Sequence, residues 1–260
     1  MTVLAQVLQG ASVPFELVRI GRFRHVQVRG GRPALPQRGE KVLIAHYDRV
    51  AGTPGANDNG ASVLAMVDYL CRTKGRGAMR VVFTDGEELI SGETPAAQGA
   101  YALATHWGPV PELFPVVFDM TGIGDTIVLG HLGEQLIRRT RDEPLPTDLD
   151  NYGRIRLRAR RWLATCGAGD TLEIDTPFSD DLGLFLAGIP ATQVSLLPRK
   201  QAVAYRRTQR SAPKADAMQK NLPSAWKTMH TPEDCPEALW PASRVLMAEA
   251  LDKLEAFPLK

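Results

Sequence analysis

The chain has 260 residues, 44% of them apolar and 23% charged, with a formal net charge of +2. That composition excludes wholesale disorder, and so small a charge excludes a general nucleic-acid-binding surface. No apolar run reaches the roughly 18 residues a membrane helix needs, so neither a membrane nor a nucleic acid is expected as a partner.

The start, "MTVLAQVLQGASVPFELV", lacks a basic segment followed by a sustained apolar one and does not read as a secretory leader. The strands begin with "FELVRIG" and "HVQVRG". "KVLIAH" is a short apolar run of the kind found in a buried strand. "GASVLAMVDYLCRTKG" has helical spacing, with Val63, Met66, Val67 and Leu70 on one stripe and Gly75 as the stop. "MRVVFTDG" reads as a strand, "AAQGAYALATH" as a helix, and "LFPVVFDMTG" and "DTIVLG" as two further strands. "LGLFLAGIPATQVSLL" predicts a short helix, a turn at Gly188 to Pro190 and a strand; "PASRVLMAEALDKLEAF" closes the chain as a helix. No linker or repeat interrupts the series, so a single α/β domain over residues 1–260 is expected: a three-layer sandwich whose mixed, mostly parallel sheet is flanked by helices. Cys71, Cys166 and Cys235 are odd in number and widely spaced. They suit neither a disulfide framework nor a CxxC zinc site. Idle thiols and no leader lean towards the cytoplasm.

In such folds ligands collect beyond the carboxyl ends of the strands, and there the acids and imidazoles of this chain gather. His46 and Asp48 follow "KVLIA", and Asp58 lies beyond a Gly/Pro-rich turn in "GTPGANDNGAS". Glu87 and Glu88 follow "MRVVFT", Asp119 ends "LFPVVF", and His230 stands in "KTMHTPEDC". Singly, each has a plain structural reading; Asp58 could cap the next helix. Together they place several carboxylates side by side, which is costly unless a cation neutralises them. Two imidazoles with three carboxylates suit zinc, are too nitrogen-rich for calcium and are too many for one tetrahedral ion. Two metals about 3.5–4 Å apart, bridged by one carboxylate, would use all five.

The order "AHYD", "GANDNGAS", "DGEE", "FDMTG", "SDD…GIPA", "HTPED" resembles the zinc aminopeptidase family M28, over roughly residues 40 to 235. The resemblance implies two Zn²⁺ ions. Their ligands would be His46, Asp58 (bridging), Glu88, Asp119 and His230, with Asp48 orienting His46 and Glu87 as general base. It further implies hydrolysis of peptide bonds, with a peptide carrying a free N-terminus as substrate. Which of Glu87 and Glu88 binds metal follows from the family and not from their spacing. Members of the family often carry "SDH" where this chain has "SDD": Asp180 fits and Asp181 replaces the histidine. Both positions are implied near the substrate pocket, and Asp181 could equally cap a helix beginning at Leu182. "DGEE" also resembles the related glutaminyl-peptide cyclases, and Trp226 has some likeness to their "WHT" motif, although Lys227 takes the histidine's place. A silent binding domain is the third reading, against which the matched ligands and base all stand intact.

One feature lies outside these readings. "YGRIRLRARRW" sets Arg154, Arg156, Arg158 and Arg160 at alternate positions, followed by Arg161 and Trp162. On a strand this predicts four guanidiniums on one face, either a charge-protected edge or a surface for an acidic partner. "YRRTQR", with Arg206, Arg207 and Arg210, is a second basic patch.

Overall fold

The computed structural model describes residues 3–133, 135–136, 147–166, 171–211 and 220–259. The apolar runs become strands buried along their whole length: β3 (Lys41–His46), β4 (Arg80–Thr84), β5 (Phe114–Phe118), β6 (Thr126–Gly130) and β8 (Thr192–Leu197). Such strands need cover on both faces. β1 (Glu16–Ile20) alternates between half-buried and exposed positions, as an edge strand does; β2 (Phe23–Val28) and β7 (Leu172–Ile174) complete the set. The eight strands form one sheet in the order β1-β2-β4-β3-β5-β8-β6-β7. Pairing is parallel across β4-β3-β5-β8 and at β6-β7, and antiparallel at β1-β2, β2-β4 and β6-β8. The architecture is the mixed, mostly parallel α/β sheet that the strand–helix alternation predicts.

Helices cover both faces. On one, α2 (Ala61–Thr73), α4 (Leu149–Leu163) and α8 (Pro241–Ala256) pack Met66, Leu70, Trp162 and Leu251 against Leu43, Phe83, Val116 and Val194. On the other, α3 (Gly99–Trp107) and α5 (Asp180–Leu186) pack Leu103, Trp107 and Leu184 against Val42, Ile44, Val82 and Val117. The period of two along each strand sends alternate residues to opposite cores, Leu43 to one and Val42 and Ile44 to the other. Beyond α5, α6 (Arg199–Ser211) and α7 (Ser224–Lys227) close over β6 and β7 through Ala202, Tyr205 and Trp226. Among the described residues no helix is long and apolar enough to cross a membrane.

Two readings of the sequence need correction. The arginine-rich stretch is helix α4 and not a strand. Tyr152, Ile155, Ala159, Trp162 and Leu163 are its buried apolar residues, spaced at helical period, and the alternate arginines are spread around it. Arg156 is buried and paired with Glu173 on β7, whereas Arg154 and Arg160 are exposed. The predicted one-faced stripe and the charge-protected edge strand therefore do not exist. The second correction is the start of α5, which lies at Asp180, two residues before Leu182. Asp181 is inside its first turn, and its carboxylate reaches back to the amide of Ser179 (3.2 Å). The short helix α1 (Val3–Gly10), which buries Ala5 and Leu8, and helix α6 are elements the reading of the sequence did not contain.

Candidate metal centre

β3 is the switch point of the sheet. The chain leaves it through α2 to reach β4 on one side, then crosses through α3 to β5 on the other. Because the three strands are parallel, their carboxyl ends open on one crevice. His46 is the last residue of β3, Asp119 follows β5, and Glu87 and Glu88 follow β4. Asp58 is returned to the same spot by the tight turn Ala56–Gly60, in which Asp58 and Asn59 leave helical geometry and their joining peptide is cis.

The structure brings all five predicted ligands together. His46 Nε2 lies 3.3 Å from Asp58 Oδ1 and 3.6 Å from Asp119 Oδ1. His230 Nε2 lies 3.3 Å from Asp58 Oδ2 and 3.0 Å from Glu88 Oε2. His46, Asp58 and Asp119 thus form one triad whose donor atoms could meet on an ion, and Asp58, Glu88 and His230 form another. Asp58 belongs to both through its two oxygens. His46 Nε2, Asp119 Oδ1 and Glu88 Oε1 are buried and have no hydrogen-bond partner among the described residues. Buried polar atoms are nearly always partnered, so these orphans, two in the first triad and one in the second, fit cations as the missing partners.

The charges point the same way. Burial works against a charged His46, but Asp119, Asp48 and Asp58 outweigh it and hold its pKa well above the usual value. Bonds from Asp58 and Glu88 lift His230 to about 10. Burial would raise Asp58, yet His230 and His46 pull it far below the ordinary carboxylate range. Burial raises Glu87 well above its ordinary value, with Asp180, Asp119 and Glu88 adding repulsion. The pocket draws positive charge: protons when nothing else is present, and a divalent cation in competition for the same atoms.

Asp48 is the hub of the support. Its backbone carbonyl is 3.2 Å and its Oδ1 3.6 Å from His46 Nδ1. That leaves the Nε2 lone pair of a neutral His46 free for the centre. The two carboxylate oxygens of Asp48 also accept from the amides of Glu87 (3.3 Å) and Glu88 (3.0 Å). Asp180 and Asp181 are buried at the head of α5. Thr84 Oγ1 donates to Asp180 Oδ2 (2.5 Å), and burial pushes the two acids up to about 7 and about 8.

Other residues that build the site were absent from the sequence reading. Asp234 accepts from the amides of Asn57 (2.7 Å) and Asp58 (3.1 Å). Asn57 Oδ1 accepts from Gly122 N (2.8 Å), and Asn59 Nδ2 donates to the carbonyl of Phe118 (2.8 Å), tying the Asp58 turn to the end of β5. The signal was present, since "NDN" and "PED" frame ligands, but acids and amides that grip backbone leave no spacing of their own. His230 and Met120 take left-handed φ of 63° and 52°, strain of a kind that concentrates at functional sites.

Several solved structures share this fold. Porphyromonas gingivalis glutaminyl cyclase superposes with a TM-score of 0.61 at 15% identity, covering 97% of this chain and 86% of its own. The LapA aminopeptidase of Legionella pneumophila gives 0.58 at 13%, covering 98% and 63%. BSAP, a zinc aminopeptidase from Bacillus subtilis, gives 0.55 at 16%, covering 90% and 49%. The chain therefore spans less than two thirds of the length of those two aminopeptidases. It matches no curated protein. Residues 28–251 match peptidase family M28, and with that match covering most of the chain, the protein belongs to peptidase family M28.

Proposed function

We propose that the protein is a two-zinc aminopeptidase that removes residues from the free N-terminus of peptides. The observation that carries this reading is the pair of donor triads sharing Asp58. His46, Asp58 and Asp119 would hold one ion, and Asp58, Glu88 and His230 the other; two imidazoles and three carboxylates suit zinc. When bound, the ions would acidify a water and polarise the scissile carbonyl.

Glu87 is the general base. Its raised pKa matches a group that must take a proton from water and return it to the leaving amine near neutral pH. Asp48 fixes the amides of Glu87 and Glu88 and faces the far side of the His46 ring. Asp180 Oδ1, buried without a hydrogen-bond partner among the described residues, is the oxygen we assign to the substrate's polar end; Asp181, which accepts from the Ser179 amide, lines the same end of the pocket in this reading. The surplus of carboxylates suits an incoming α-ammonium group, which gives the preference for a free N-terminus.

The cyclase reading has one observation in its favour: the fold match extends over 86% of the Porphyromonas cyclase. Elemental analysis of the purified protein, followed by assays on free and N-acetylated peptides and on a peptide beginning with glutamine, separates the readings. Two zinc ions per chain and cleavage restricted to free N-termini support the aminopeptidase. One ion, with release of ammonia from the glutamine peptide and no cleavage, supports the cyclase. No metal after incubation with zinc removes both.

A further inference from the structure

Glu87 and Glu88 are adjacent, and both lie close enough to His46 for their donor atoms to meet on one ion. Something must keep the first of them out of the ligand set if it is to act as the base. We infer that Gln98 is that device: a positioning residue that tethers the Glu87 carboxylate away from the metals. The inference rests on the two-metal reading above.

The geometry is specific. Gln98 Nε2 donates to Glu87 Oε1 (3.0 Å) and to the Glu87 carbonyl (3.2 Å). Both partners are acceptors, so the amide nitrogen and not the oxygen must face Glu87. Gln98 is 3% exposed, and its bonds are therefore shielded from competing water. Glu88, by contrast, has Oε2 at His230 and a buried Oε1 with no hydrogen-bond partner among the described residues. One carboxylate of the pair is tied and the other is left free.

The tether is mounted on rigid elements. Gln98 is the residue before α3, and Gly99 N donates to the Gly86 carbonyl (2.9 Å), docking the helix start onto the turn that carries Glu87. A side chain at Gly99 would run into the Asp85 carbonyl, so the close approach requires glycine. From the other side, a Cβ at Gly183 of α5 would stand 3.0 Å from Gln98 Oε1; the glycine makes the space that the amide fills. The Glu87 amide is meanwhile held by Asp48. Base and tether thus have fixed backbones, and the hydrogen bond between them sets the carboxylate's direction.

The test uses cobalt(II) in place of zinc, because its visible bands weaken as the coordination number rises. In Gln98→Met the donor is gone and length is kept; Gln98→Ala is the companion that cannot clash with α5. The expected result is weaker cobalt bands than wild type in both variants, with full cobalt content. Adding Glu87→Gln to Gln98→Met restores the wild-type bands, because an amide is a far poorer ligand. On a substrate the wild type turns over, kcat of Gln98→Met falls about 10- to 100-fold with KM little changed, as expected for a misdirected base. Wild-type bands in both single variants overturn the inference, as does a band change that persists in the double variant. A wild-type protein that takes up no cobalt removes the metal reading and the inference together. A wild type that binds cobalt but cleaves no peptide removes the peptidase reading alone, and the bands still decide Gln98.

Discussion

Glu87 and Asp234 carry the sharpest consequences at the scale of single residues. Substituting Glu87→Gln removes the proton acceptor while leaving the two donor triads whole. Turnover should fall by about 10²–10⁴-fold with metal content unchanged, measured by steady-state kinetics beside elemental analysis. Asp234→Ala leaves Glu87 in place but strips the amides of Asn57 and Asp58 of their acceptor. Support of this kind is worth about 10–100-fold in metal affinity, so a chelator competition should show a loss of that size. The five proposed ligands were readable in the sequence because each closes a strand or stands in a short, polar segment that a core cannot use. Asp234 and Gln98 were not. Their work is to hold a backbone amide or a carboxylate that the fold brings near, and no local pattern encodes such a partner.

At the scale of elements, α4 shows how a pattern can mislead. Arginine at every second position imitates a strand, but Tyr152, Ile155, Ala159 and Trp162 follow the helical period, and the apolar period decides which face is buried. Trp162 is fully buried against Phe118, edge to face at 6.3 Å, and its Nε1 donates to the Ala250 carbonyl of α8 (3.0 Å). Trp162→Ala should therefore cost about 3–5 kcal/mol in a denaturant titration, the range for large aromatic truncations in a core. A cost below about 1 kcal/mol would mean that α4 does not lock α8 to the sheet. The strands were legible for the opposite reason. Runs such as "KVLIA" and "RVVF" are buried on both faces and flanked by turn residues, which leaves a single reading. Helix α6 escaped because Ala202 and Tyr205 are its only fully buried positions amid charged neighbours.

At the scale of the whole molecule, two groups should make contributions to stability that are lost in acid. Burial depresses the pKa of His25 to about 4, and the ring accepts from the Asp85 amide in its neutral form. Unfolded, the group titrates near 6.5, so between pH 6.5 and 4 the unfolded chain binds more protons. That contribution, complete above 6.5, should fall by roughly 3 kcal/mol across that window, read as the difference between wild type and His25→Gln, while Asp180 and Asp181, raised to about 7 and about 8, pull the total the other way. Glu173 follows: burial opposes its charge, but His131 and Arg160, with Arg156, hold it down to about 2. Its contribution is present above pH 4.5 and drains away as the pH falls towards 2. Urea titrations at stepped pH measure both. Chelation should act on the same global equilibrium. An ion present at about 100 times its Kd adds about 2.7 kcal/mol, so stripping it should lower Tm by about 5–10 °C for a chain of this size.

The five proposed ligands are also unevenly spread in time. His46, Asp58, Glu88 and Asp119 all belong to the first half of the chain, whereas His230 comes near its end. A ribosome would release the triad of His46, Asp58 and Asp119 long before it released the last ligand of the other. The parallel core around β3 cannot close until β8 has also left the exit tunnel. In the proposed reading the residues of one triad are therefore all synthesised before the other is complete. A nascent chain short of its final thirty or so residues would lack His230 and, with it, Asp234, which grips the amides of Asn57 and Asp58, so the last segment made both completes the second triad and braces the residue the two triads share.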